Sequence, residues 1–179
     1  MQRARQTGFS LFELIIVIVL IGYLAAKSLE YYNDAADDAR RAGIESLARS
    51  LTAAISGAHG EWLLKGGRSQ GPASRVDMDG TFIVLNSGGW PIGIEREGQA
   101  FDAASALHRC ADLWVHLLQN PPAYSLKAQD KGKQRYHLEE LPGQGCRFIM
   151  STQTADTHYL DYLAKNGRLL VHVPIDDDG

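Results

Sequence analysis

From Phe9 to Ala26 the chain runs through 18 positions with one formal charge, Glu13. As a helix this run covers about 27 Å, enough to cross the hydrocarbon core of a membrane. Beyond it the pattern becomes amphipathic. Apolar or small residues recur at Leu29, Tyr32, Ala36, Ala39, Gly43, Leu47, Leu51, Ala54, Ile55, Ala58 and Trp62, mostly three or four apart. That is the period of a helix with one buried face. The other face carries Asp34, Asp37, Asp38, Arg40, Arg41, Glu45 and Arg49, a mixture of signs suited to water. No proline interrupts Phe9 to Trp62, so one helix of about 50 residues, near 75 Å, is predicted.

The glycine-rich stretch 65–72 ends that helix and opens a region of different chemistry. Thr81–Leu85 reads as a strand, 86–89 as a turn, and Trp90–Ile94 as a second strand. Asp77-x-Asp79-Gly80 has the start of a calcium loop, but Gly88 stands where the twelfth-position glutamate belongs. A turn whose aspartates bond nearby backbone is the expected reading. Asp102–Gln119 has helical spacing, with Ala103, Leu107, Cys110, Leu113, Trp114 and Leu117 on one side, and predicts a five-turn helix ended by Asn120-Pro121-Pro122. Three further strand regions follow, 134–139, 146–150 and 158–162. The last should pair with 168–173 as a hairpin around Lys165-Asn166-Gly167. The aspartates near the C-terminus read as solvated charge.

Taken together the elements predict an α+β protein, with a long N-terminal helical spine and an antiparallel sheet head. The expected division is 1–8 leader, 9–28 membrane-spanning half, 29–64 amphipathic half and 65–179 globular head. At 179 residues the chain is long enough for one head with a real core.

Charge refines the picture. The formal net charge is −3, and loss of a leader carrying Arg3 and Arg5 takes the body to −5, which argues against direct nucleic-acid binding. Arg3 and Arg5 on the N-terminal side of the apolar run predict an N-in, C-out orientation. With the body outside the cytoplasm, Cys110 and Cys146 can pair, and closing that loop is worth about 3–4 kcal/mol on a chain-entropy account. In the cytoplasm they would remain thiols.

Glu13 is the anomaly, because a carboxylate inside a membrane costs about 2.5–3.5 kcal/mol on insertion scales and marks a functional position. Gly8, Phe9 and Glu13, with the basic leader before them and the apolar run after them, resemble the class III signal of type IV prepilins. The resemblance implies cleavage after Gly8 by a prepilin peptidase and methylation of the new N-terminus, Phe9. It further implies that Glu13, fifth after the cut, sets register by pairing with a neighbouring subunit's terminal amine. Where the family often has a proline, this chain has Glu30. Gly22 remains as a place where the helix can loosen, at about 1 kcal/mol of helix propensity. In the head, Asp79-Gly80-Thr81, Gly89-Trp90-Pro91, Cys110 with Leu113-Trp114, Asn120-Pro121-Pro122 and Cys146 resemble minor pilins of the mannose-sensitive haemagglutinin type.

The resemblance implies a filament subunit anchored in the inner membrane before assembly and extracellular afterwards. Its implied partners are other pilins, the prepilin peptidase, and the assembly platform with its ATPase; its implied roles are adhesion and motility. A type II secretion pseudopilin shares the N-terminal signal and stays open as an alternative. So does a signal-anchored periplasmic binding domain, and a small-residue site at Ala25-Ala26 keeps an ordinary secretory signal in view. No enzyme is expected. The six histidines (59, 108, 116, 137, 158, 172) are dispersed, and metal-spaced pairs, a Gly-x-Ser-x-Gly elbow and a phosphate loop are all missing. Neither metal nor cofactor is expected.

Overall fold

The computed structural model of the chain describes residues 10–67, 74–143, 145–151 and 158–173. Its first element, α1, runs unbroken over Leu11–Leu64, 54 residues. It continues through Glu30, as expected of a sequence with no proline there. Contacts divide the chain into two units, 1–40 and 41–179.

In the first unit α1 buries none of its apolar run, and Leu11, Phe12, Ile18, Val19, Ile21 and Leu24 are all exposed. The expected stripe continues through Leu29 and Tyr32, but these too are exposed. In the second unit the pattern holds. Ile44, Leu47, Ala48, Leu51, Ile55 and Ala58 form a buried face, spaced three or four apart. Glu45, Arg49 and Thr52 on the opposite side are exposed.

Three strands rather than two follow, β1 (Ser74–Met78), β2 (Thr81–Leu85) and β3 (Pro91–Ile94), paired antiparallel in that order. The extra strand is the Asp77-x-Asp79-Gly80 region itself. Asp79 and Gly80 form a two-residue turn with φ of 51° and 83°, and Asp77 Oδ1 accepts from Gly80 N–H at 2.8 Å. Asp-Gly suits the left-handed pair this tight hairpin needs, so these aspartates serve a turn.

The predicted five-turn helix is shorter. A single 3-10 turn, Phe101–Ala103, precedes a break at Ala104-Ser105, and α2 spans Ala106–Leu117. Ser105 starts the second piece, with Oγ accepting from His108 N–H at 3.3 Å. Helical spacing continued across the break, but a serine able to satisfy an open backbone donor divided it.

The second sheet has the order β4 (Tyr124–Ser125), β5 (Tyr136–Leu141), β6 (Gly145–Met150), β7 (Tyr159–Leu163), β8 (Arg168–His172). Only the short β4 is parallel to its neighbour. Tyr136, Leu138, Cys146, Phe148, Leu160 and Tyr162 enter the hydrophobic core shared with α1 and α2. Trp114 of α2 sits in its centre, 4.9 Å from the Tyr136 ring and 5.0 Å from Phe148, with its indole N–H donating to Pro122 O at 2.9 Å. The indole therefore carries no unmet donor into the core. The β7–β8 hairpin is present, but as a four-residue loop 164–167. Gly167 takes φ 69° and its N–H reaches Leu163 O at 2.9 Å.

Candidate functional site

Of the residues singled out at the N-terminus, Gly8 and Phe9 lie outside the described residues. Glu13 sits in the first turn of α1, where helix N–H groups lack intrahelical partners and a carboxylate is favoured by the dipole. That position gives its charge a local benefit in addition to any partner outside the chain. Gly22 has open space around it, since a side chain there would meet nothing within 4 Å. Among the described residues, no packing therefore requires glycine there. Lys27 directly follows the apolar run, so the charge flanking it is Arg3 and Arg5 on one side and Lys27 on the other.

By length and composition α1 is apolar enough to span a membrane, and the qualifying window is wholly unburied. It is an uncovered hydrophobic surface far larger than a soluble monomer carries.

In the head, Cys110 of α2 and Cys146 of β6 form a disulfide with Cα atoms 5.6 Å apart, closing 36 residues. The bond ties the helix to the sheet at buried positions. Beside it lies a cavity of about 450 Å³ lined by Phe101, Asp102 and Arg109 among others. Arg109 is already committed there, donating to Ala104 O at 2.6 Å and lying 5.3 Å over the Phe101 ring.

A polar ladder crosses the sheet face away from that core. Glu139, Arg147 and Asp161 stand opposite one another on β5, β6 and β7. Arg147 clasps Asp161 through Nε at 2.7 Å and Nη2 at 2.8 Å, and this fork holds the guanidinium pKa above its usual value. Tyr159 fits between Arg147, at 4.3 Å, and the stacked ring of His172, also 4.3 Å away. The sequence hid this ladder, because residues at 139, 147 and 161 meet only when strand register is known.

The histidines do not converge. His59 stacks on Trp90, His108 bonds Ser105, and His137 is buried against Ser125 Oγ at 2.8 Å. Among the described residues no group of three or more His, Cys, Asp or Glu is placed to hold a metal ion.

A long N-terminal helix, antiparallel sheets and a disulfide between the second helix and the second sheet define a pilin-like α+β protein. Sequence comparison agrees with that class. Over 81 residues the chain is 37% identical to a fimbrial protein of Neisseria meningitidis serogroup A, covering 44% of this chain and 47% of that one. The chain thus spans about half the length of the curated relative it matches. No family model matches the chain, and no solved structure does. The type IV pilin resemblance read from Gly8, Phe9 and Glu13 is therefore supported by a fimbrial relative and by a pilin-like fold.

Proposed function

We propose that this chain is a structural subunit of a type IV pilus, with assembly as its activity rather than catalysis. The observation that carries the reading is the apolar N-terminal half of α1, uncovered along its length and bearing one acid in its first turn. A membrane covers it before assembly, and neighbouring helices cover it within a filament. Cleavage after Gly8 by a prepilin peptidase frees an amine on Phe9, about one helical turn from Glu13. Pairing of Glu13 with a neighbour's amine removes two charges from hydrocarbon together and selects axial register.

Under this reading the subunit waits N-in, C-out in the inner membrane, meets the assembly platform and its ATPase, and ends outside the cell. Filaments built this way serve adhesion or motility. Gly22 supplies local helix softness where the family proline is replaced by Glu30. The resemblance of the head motifs around Trp90 and Trp114 to minor pilins supports a minor-subunit role.

The test substitutes Glu13→Ala in the native host. The reading expects normal processing and membrane insertion with at least a tenfold loss from sheared surface filaments. Undiminished incorporation would contradict it. Recovery of the wild-type chain only with a secretion apparatus would favour the pseudopilin alternative.

A further inference from the structure

The connection from β4 to β5 gathers positive charge in a chain that is otherwise acidic. Between Leu126 and Tyr136 stand Lys127, Lys131, Lys133 and Arg135, with Asp130 the one acid. All four cations are exposed. Lys133 Nζ donates to Asp130 Oδ1 at 2.8 Å, and Lys131 lies 3.4 Å from Glu139. Four cations against one acid within residues 127–135 give this stretch a positive formal charge. The Asp130 carboxyl is held below its ordinary pKa by the Lys133 hydrogen bond first, and by the charges of Lys133 and Lys127, so these cations act on one spot. Arg135 extends the patch to α1, its Nη2 3.9 Å from where a Gly43 side chain would begin.

The same chain carries a segment of opposite sign, where Asp34, Asp37 and Asp38 outnumber Arg40 and Arg41 by one charge. Asp34, Asp37 and Asp38 are exposed on α1, and Asp34 and Asp38 are one turn apart on the same side of the helix. Arg40 takes up Asp37 in an ion pair. We propose that the Lys127–Arg135 loop of one subunit receives the Asp34–Asp38 face of α1 from a second copy. Complementary charge across such a contact selects partner and register more than it adds affinity. The exposed pairs are individually weak, so several are needed to orient a neighbour. The alternative occupant, a nucleic-acid phosphate backbone, fits less well, because Asp130 and Glu139 sit among the cations and the whole chain is negative.

The inference rests on the filament reading. If the chain is a minor subunit, the contact sets copies side by side rather than dispersing them singly. A water-soluble carbodiimide, which joins amines to carboxylates only in direct contact, tests it on sheared filaments and on detergent-solubilised full-length chain. Mass spectrometry should find the Asp130–Lys133 link in both samples, as an internal control. Filaments alone should contain SDS-stable dimers linked from Lys127 or Lys133 to Asp34 or Asp38. Lys127→Gln with Lys133→Gln should reduce those dimers at least fivefold.

Filaments that give the control link but no such dimers would overturn this contact and leave the filament reading intact. The same holds if the lysines link to a different pilin, or if they instead retain a DNA duplex in a salt-sensitive way. Absence of the chain from filaments would overturn both.

Discussion

The imidazole of His59 lies flat against the indole of Trp90, with ring centroids 3.9 Å apart and planes 6° from parallel. Trp62, nearly one turn further along α1, stacks on His59 at 5.4 Å. His59 Nδ1–H donates to Gly89 O at 3.1 Å, since a carbonyl can only accept. The turn between β2 and β3 is thereby clamped to the spine helix. Asn86 Nδ2 extends the clamp to Ala164 O at 2.6 Å, and Tyr162 hydroxyl donates to Pro91 O at 2.8 Å. One stack thus joins the three-stranded sheet, the long helix and the last hairpin of the five-stranded sheet.

Removing the centre of that stack should be costly. Trp90→Ala should lower the unfolding free energy of the full chain in detergent by about 3 kcal/mol, from lost burial and a residual cavity. His59→Ala should cost about 1–2 kcal/mol, through one hydrogen bond and two ring contacts. Gly167→Ala should also destabilise, although alanine is apolar. A Cβ there would fall 2.0 Å from a Trp90 ring carbon, and φ is 69°. Urea unfolding followed by tryptophan fluorescence measures all three. A Gly167→Ala protein as stable as wild type would show that the hairpin does not press on Trp90.

Much of this architecture was legible in residue order. The unbroken Phe9–Trp62 pattern anticipated α1 to within two residues at each end, because long helices repeat one signal many times. The Asn166-Gly167 pair marked the last hairpin correctly, although the loop holds four residues with only Gly167 left-handed. Other features depend on partners far apart in sequence. Gly89-Trp90-Pro91 reads as a motif, but its reason is His59 and Trp62, some thirty residues earlier. The exposure of Leu29 and Tyr32 was equally hidden, since helical spacing marks an apolar face and leaves open whether the chain itself covers it. Ser105 could have been recognised as a helix start, since Ser, Thr, Asp and Asn at such a position are the common caps.

The disulfide should account for a measurable part of head stability. Closing 36 residues corresponds to about 4 kcal/mol on the loop-entropy account. The Cys110→Ala, Cys146→Ala double variant should therefore unfold at lower urea than wild type, and reductant should shift wild type but not the variant. Equal midpoints in oxidised and reduced wild type would show the bond to be energetically idle.

Alkaline pH gives a test of the buried tyrosines. Burial raises the Tyr162 phenol above its ordinary value of 10.0, and Tyr136 shifts the same way. With the folded pKa raised, the folded state holds its proton where the unfolded chain has lost it. The associated stability is complete below pH 10 and declines as pH climbs above it. Wild type should lose stability progressively as pH rises above the ordinary phenol value of 10.0. Tyr162→Phe should start about 1 kcal/mol lower at neutral pH, having lost its hydrogen bond to Pro91, and fall less steeply. Parallel pH profiles for the two proteins would contradict a buried, protonated Tyr162.

Processing into a filament subunit is tested most directly by the N-terminal mass of the chain from its native host, with and without the prepilin peptidase. The account predicts an N-methylated Phe9 in the wild-type host and the uncut leader in the peptidase mutant. A chain that keeps its leader in both hosts, or one cut near Ala26, would contradict it.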